Sequence, residues 1–274
     1  MAGRRIFITG GASGLGRALA ERYARDGWRV AIADVHEVRG AEALAALAAL
    51  GAEAHFVRCD VTREADLEAA ARSLDERWAG VDVVVNNAGV ALAGGIAETS
   101  LSDWQWIVDV NLLGVVRGCR VFTPLFRRQG SGHFVNVSSM AGLVHPPMLP
   151  AYAATKAGVV ALSESLRIEL APDGIRVSAV CPAFFRSHLL ESLRASDPAL
   201  VEQSRRLLER VRTTAPETAE RIRRGVSRGD FLILTHADGR LAWRLKRLLP
   251  VSLYLKLLAW SSERIRTDRF RGDL

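Results

Sequence analysis

Residues 4–16 read RRIFITGGASGLG. The first six form a short apolar run, as expected of a strand buried on both faces of a parallel sheet. The turn Gly10-Gly11-Ala12-Ser13-Gly14-Leu15-Gly16 follows at once, and then a helical pattern to Asp26 closed by Gly27. Glycines at a strand-to-helix turn let the backbone approach a pyrophosphate. The helix N-terminus supplies unpaired N–H groups and the positive end of a dipole. A glycine-rich turn says little alone. Its place between a strand and a helix gives it weight.

Working outward, the same alternation recurs. Residues 28–34 (WRVAIAD) form a second strand ending in Asp34, eighteen residues after Gly16. A carboxylate there accepts from a ribose 2′-OH and repels a 2′-phosphate, which favours NAD over NADP. Arg17 and Arg39 are near enough to keep NADP open, and Asp34 as a plain turn acid is the alternative. Residues 37–50 are an Ala/Leu-rich helix ending at Gly51, and 54–60 a third strand with Asp60 and Val61 at its tip. Thr62 is the expected N-cap of the next helix, through about Trp78. Residues 81–85 are a fourth strand leading into Asn86-Asn87-Ala88-Gly89. Ser102 and Gln105 read as a capping box for a long helix to about Arg128. Asn111 falls inside that helix, where its side chain competes for backbone hydrogen bonds, so a bend or a functional amide is expected. Residues 134–138 and 176–181 are the fifth and sixth strands, and 231–234 (FLIL) the last. No hairpin signal appears. The pattern predicts an α/β fold with a doubly wound parallel sheet of about seven strands and helices on both faces. Gly10 to Gly16, Asp34, Asp60, Asn87 to Gly89, Ser139 and Pro182 all fall at the carboxyl ends of strands, where such sheets bind ligands.

Residues 139–156 read SMAGLVHPPMLPAYAATK. Tyr152 and Lys156 stand four apart on a helical pattern, hence on one face. Ser139 lies thirteen residues before the tyrosine. A phenol with a reference pKa near 10 is a poor base at neutral pH, and a nearby cation lowers that value. A shift of about three units needs about 4 kcal/mol. Ser139 can donate to an oxygen on which charge develops. Alone, a Tyr-x-x-x-Lys pattern is usually a surface pair. Lys156, however, is the only lysine before residue 246 in a chain that otherwise uses arginine.

Composition bounds the rest. The 274 residues, 49% hydrophobic, suit one α/β domain with an appendage. Cys59, Cys119 and Cys181 are odd in number and widely spaced. They match neither a disulfide framework nor a metal pattern, so no metal and a reducing, cytoplasmic setting are expected. No signal peptide or spanning stretch is visible. The first 200 residues carry 20 Arg/Lys against 21 Asp/Glu, and residues 201–274 carry 17 against 9. The basic excess therefore belongs to the C-terminal quarter. It marks an anionic or membrane surface, or simply a solvated face. No nucleic-acid reading motif accompanies it.

Together these motifs resemble the short-chain dehydrogenase/reductase family over roughly residues 4–236. The resemblance implies a Rossmann-like fold and hydride transfer between a nicotinamide cofactor and an alcohol/carbonyl pair. It implies that Tyr152 is the acid/base and also a cofactor-binding residue, and that Lys156 binds the nicotinamide ribose and lowers the tyrosine's pKa. Ser139 would orient the substrate oxygen, and Asn111 would hold a water that relays protons toward Lys156. Gly10, Ser13, Gly14, Leu15 and Gly16 would cradle the cofactor. Asp60 and Val61 would flank the adenine, and Asn87, Ala88 and Gly89 line the adenosine side. The segment after Pro182 departs from the family's usual Pro-Gly-x-x-x-Thr: it reads Pro182-Ala183-Phe184-Phe185-Arg186-Ser187. Pro182, Phe185 and Ser187 are still expected at the carboxamide, with the phenylalanines as core the alternative. A homodimer or homotetramer is expected from the resemblance alone.

Residues 186–230 read as helices covering the substrate, with Leu189, Leu190, Leu193, Leu207 and Leu208 as pocket or packing residues. With Leu143, Val144, Met148 and Leu149 they suggest a bulky hydrophobic alcohol or ketone. Residues 237–274 form a basic, Leu/Trp-rich helical extension divided at Pro250. It reads either as an arm that packs on a partner subunit or as a peripheral membrane contact. Two functions compete: a dinucleotide-binding regulatory protein without turnover, which the complete Asn111, Ser139, Tyr152, Lys156 set speaks against, and a peripheral membrane protein acting through its C-terminal segment.

Overall fold

The computed structural model describes residues 4–186 and 191–267; the side chains of Gln203, Leu207, Leu208 and Arg210 and those beyond Trp260 lie outside that description. Its strands, in chain order, are β1 (Arg5–Thr9), β2 (Arg29–Asp34), β3 (Ala54–Arg58), β4 (Val83–Asn86), β5 (Leu92–Ala93), β6 (Gly132–Val137), β7 (Ile175–Cys181), β8 (Arg194–Ala195) and β9 (Leu232–Leu234). Seven of them form one sheet in the order β3-β2-β1-β4-β6-β7-β9, and every pairing is parallel. The order reverses between β1 and β4, which places the ligand crevice of such a sheet beyond their carboxyl ends.

The period-2 rule explains how β1 serves both faces. Ile6 and Ile8 pack with α1 (Gly14–Arg25), α2 (Glu37–Ala49) and α9 (Ala215–Arg228) through Leu19, Leu47 and Ile222. Phe7, between them, points the other way. It joins α3 (Glu64–Trp78), α5 (Gly114–Gln129) and α7 (Pro150–Glu169) through Leu67, Phe122 and Val159. Both faces are covered, so each strand reads as a continuous apolar run. A buried polar chain also stitches the layers: Asn86 donates to Asn136 at 2.9 Å, and Asn136 to Ser163 on α7 at 3.0 Å.

Some local expectations are corrected. The residue before α3 is Arg63 rather than Thr62, whose hydroxyl donates to Asp60 instead. The helix expected from Ser102 starts with α4 (Leu101–Val108), and Ser100 caps it by accepting from the Asp103 N–H at 3.1 Å. One turn of π-helix at Asp109–Leu113 interrupts the long helix at Asn111. The misfit of a mid-helix asparagine is therefore met by a bulge. Residues 194–195 are strand rather than helix: β8 pairs with β5, just after the Asn-Asn-Ala-Gly loop. α8 (Pro198–Arg210) and α9 follow as expected.

The extension forms α10 (Ala237–Leu248) and α11 (Val251–Thr267), divided at Pro250. Its inner side packs on its own chain, with Trp243 beside Met140, Leu143 and Val144. Among the described residues no helix is long and apolar enough to cross a membrane.

Candidate active site

The glycine turn is shaped by close approach. Gly10 and Gly14 have φ of +62° and +52°, in the left-handed region. At Gly16 a Cβ would stand 2.1 Å from the Gly10 carbonyl oxygen and 2.6 Å from Asn87 Nδ2. Gly16→Ala is therefore expected to lower stability by about 1–3 kcal/mol and weaken dinucleotide binding at least tenfold. Thermal unfolding and NADH titration measure the two effects. Asn87 holds the turn from across the sheet, its Nδ2 donating to the Thr9 and Gly10 carbonyls at 2.9 and 3.2 Å. Thr9 Oγ1 accepts from the N–H groups of Asn87 and Ala88 at 3.0 and 3.1 Å. The Ser13 side chain caps none of the first-turn N–H groups of α1, and that turn carries no acid. Those donors suit a phosphate.

Asp34 is buried at the tip of β2. Its two carboxylate oxygens accept from the backbone N–H groups of Ala12 and His36, each at 3.1 Å. Lone pairs remain for a ribose hydroxyl. Arg17 pairs with Glu21 at 3.0 Å and Arg39 with Glu191 at 2.6 Å, so each arginine has an acidic partner. Asp60 accepts from the Thr62 N–H and hydroxyl at 2.9 and 2.7 Å. Val61 is buried beside it, against Gly114 of α5.

The catalytic candidates converge from three elements. Ser139 follows β6, Tyr152 and Lys156 lie on the first two turns of α7, and Asn111 lies on the π-turn. Lys156 is 4% exposed. Its Nζ donates to the Val137 carbonyl at 3.1 Å and lies 5.8 Å from the centroid of the Tyr152 ring. Ser138 donates to the Lys156 carbonyl at 2.7 Å. α6 (Ala141–Val144) packs on that same peptide through Gly142, where a Cβ would stand 2.5 Å from the Lys156 carbonyl carbon. Asn111 is fully buried; its amide accepts from the Val90 N–H at 2.8 Å and donates to the Val90 carbonyl at 2.9 Å. Gly89 leaves a small space that Asn111 Oδ1 and Lys156 Nζ both face, 3.1 and 3.4 Å from where its Cβ would be.

Burial governs the electrostatics. It pulls the Lys156 ammonium down to about 8. It pushes the Cys181 thiol up to about 12, so the neighbour of Lys156 is a neutral thiol. Burial also raises the Tyr152 phenol above its ordinary value, while the hydrogen bond with Ser139 opposes it. In the free protein, then, burial outweighs that hydrogen bond and holds the phenol above its ordinary value. A second positive charge is needed to bring it down.

Pro182 follows β7, and its carbonyl accepts from the Met140 N–H at 2.9 Å. Phe185 packs against the core beside α1, whereas Phe184 is exposed. Ser187, Leu189 and Leu190 lie outside the described residues, as do the side chains of Leu207 and Leu208. Four contributors were not singled out from sequence: the Thr9 hydroxyl, the Val90 backbone, the Val137 carbonyl and the Cys181 thiol. The residues thus brought together fit a nicotinamide dinucleotide: a tight glycine turn, free helix N–H groups, a carboxylate at β2 and a buried Tyr/Lys pair.

The fold and these donors define a nucleotide-binding oxidoreductase. The family model for short chain dehydrogenases matches residues 4–198, and this chain belongs to that family. It is 35% identical over 214 residues to the probable galactose dehydrogenase GalD of Rhizobium meliloti, covering 76% of this chain and 82% of that protein. It is 35% identical over 182 residues to the 2,5-dichloro-2,5-cyclohexadiene-1,4-diol dehydrogenase LinX of Sphingobium indicum, covering 66% and 73%. A short-chain dehydrogenase/reductase from Burkholderia phymatum in complex with NAD superposes with a TM-score of 0.85 at 34% identity, covering 89% of this chain and 93% of that one. One from Sphingobium yanoikuyae in complex with NADPH gives 0.73 at 27% identity, covering 97% and 95%.

Proposed function

We propose that the protein is an NAD-dependent dehydrogenase/reductase that interconverts a bulky hydrophobic secondary alcohol and its ketone. The observation that carries this reading is the buried Lys156 beside Tyr152, its Nζ 5.8 Å from the centroid of the phenol ring. In oxidation Tyr152 takes the substrate hydroxyl proton, and Ser139 fixes the substrate oxygen by hydrogen bonding. Lys156 holds its positive charge near the phenol from a pocket that excludes water. Its pKa of about 8 lets it pass a proton onward near neutral pH. Asn111 positions the Val90 segment, and the space over Gly89 is where a relayed proton would leave. When bound, the nicotinamide accepts or donates the hydride.

Asp34 favours NAD in this reading, and Arg17 and Arg39 each already have an acidic partner in Glu21 and Glu191. Asp34→Ser is expected to weaken NADH binding by roughly 10–100-fold, the worth of a hydrogen bond to a charged group. It is also expected to improve NADPH binding, so separate fluorescence titrations should show the preference collapse. An unchanged NADH preference would remove Asp34 from the ribose site. The named relatives carry names for substrates as different as galactose, for a probable dehydrogenase, and a chlorinated cyclohexadienediol. The substrate class therefore rests on this chain's own Leu143, Val144, Met148, Leu149 and Phe184 near the site. A spectrophotometric screen of secondary alcohols with NAD tests it, and preference for small polyols would contradict it. The protein is proposed to work as a homodimer or homotetramer in the cytoplasm.

A further inference from the structure

α10 and α11 have two unlike sides. The inner one is fastened to the chain that runs from Ser139 to Tyr152. Gly239 is buried against Met140, whose Sδ would lie 3.0 Å from a Cβ there. Lys246 Nζ donates to the Leu143 carbonyl at 2.5 Å and lies 2.9 Å from His145 Nδ1. The Tyr254 hydroxyl donates to the Val144 carbonyl at 2.6 Å. The extension is thus anchored to the segment bearing the substrate-side residues.

The outer side is apolar and open. Leu241, Leu245 and Leu248 recur at i, i+4 and i+7 and are 60%, 42% and 82% exposed. On α11, Leu253 and Leu257 continue the exposed surface at 44% and 46%, while Val251 and Leu255 border the inner crevice with Val144 and Tyr254. Between Gly239 and Ser262 the sequence contains no Asp or Glu, while Arg240, Arg244, Arg247 and Lys256 are basic in addition to the inward-held Lys246. Monomeric surfaces rarely leave such a patch uncovered.

Two occupants compete for it, and charge separates them. A two-fold contact with a second copy sets the same patch against itself. Arg240, Arg244 and Arg247 would then face one another's copies with no acid in the patch to offset them. An anionic bilayer matches both features: the leucines enter the acyl boundary and the basic side chains meet headgroup phosphates. We infer that the outer face of α10–α11 docks on an anionic lipid surface and holds the residue 140–148 segment beside it. The protein would then draw a lipophilic substrate from the bilayer. The substrate part rests on the function proposed above; the docking does not.

Flotation of the full chain with vesicles of phosphatidylcholine alone and of phosphatidylcholine with phosphatidylglycerol tests this. Recovery is expected to be at least tenfold higher with the anionic vesicles and to fall at least fivefold in 0.5 M salt, as screening of surface charge requires. Leu241→Glu/Leu245→Glu/Leu248→Glu and, separately, Arg244→Gln/Arg247→Gln/Lys256→Gln should abolish flotation while NADH affinity stays within about twofold, since none of these residues lies at the cofactor site. Absence of flotation, or equal recovery with neutral vesicles, overturns the inference. So does a dimer that the Leu→Glu variant dissociates without any vesicle binding, because the face then belongs to a second copy. Failure of alcohol oxidation with flotation intact would instead overturn the proposed function and leave the docking standing.

Discussion

Tyr152→Phe is expected to lower kcat/KM for alcohol oxidation by about 10³–10⁴-fold, the upper range for loss of a general acid–base group. That corresponds to roughly 4–5.5 kcal/mol of transition-state stabilisation. The substitution removes one oxygen and keeps the ring. The ring packs against the cluster of Leu92, Ile107 and Ala151, so the fold should be retained. NADH affinity should stay within about twofold, because Gly10 to Gly16, Asp34 and Lys156, proposed to hold the dinucleotide together with Tyr152, are unchanged. A defect in kcat with intact cofactor binding separates a chemical role from a structural one. Activity within tenfold of wild type would mean that another group takes the proton.

Lys156→Met is expected to act in opposite directions on activity and on stability. Turnover should fall by about 10²–10³-fold and NADH affinity by about tenfold, since the ammonium proposed to favour the phenolate and to contact the ribose is gone. Yet the free protein at pH 7 should be no less stable, and up to about 2 kcal/mol more stable. The reason is linkage. Burial holds the folded Lys156 near pH 8, below the 10.5 of an ordinary lysine. Below pH 8 both states carry the proton and the folded state bears the whole cost of the buried charge. Between about 8 and 10.5 the unfolded chain still binds the proton while the folded chain has released it, so stability rises with pH. The wild type should therefore gain on the order of 2–3 kcal/mol relative to the variant from pH 7 to 10.5. Urea unfolding of both proteins across that range measures it. A pH-independent difference would show that the ammonium is solvated in the folded state.

The cost of that buried charge is not local to Lys156. Its Nζ is held by the Val137 carbonyl, and Ser138 and Gly142 fix the Lys156 peptide from β6 and α6. The end of β6 and the start of α7 are thus one unit built around a destabilising group. Such an arrangement is expected where function needs a charge that packing alone would reject.

Much of the sheet was legible because it is buried on both sides. Residues 4–9, 28–34 and 176–181 are apolar runs between helical stretches, and each became a parallel strand. The glycine turn was legible because no other residue fits 2.1 Å from the Gly10 carbonyl oxygen. Asn111 announced itself as a poor helix residue, and a π-turn is what accommodates it. The caps at residues 62 and 102 were misplaced because several Ser, Thr and Asp residues stand together there, and backbone geometry rather than composition selects Ser100. β8 was read as helix because two residues carry no periodicity, and its partner lies about a hundred positions away in β5. The direction of the Tyr152 shift was also hidden. Sequence places a cation four residues from the phenol but does not tell how deeply the pair is buried. The bonds of Val90 to Asn111 and of Val137 to Lys156 use main-chain groups, which carry no side-chain signature.

Deuteride transfer tests the central claim most directly. The full-length protein is incubated with NADH carrying deuterium at C4 and a panel of hydrophobic ketones, and the products are weighed by mass spectrometry. The account predicts an alcohol one mass unit heavier from at least one ketone, at a rate that drops about 10³-fold or more in Tyr152→Phe. Bound NADH that keeps its label through prolonged incubation with every ketone would contradict it, leaving a dinucleotide-binding protein without turnover.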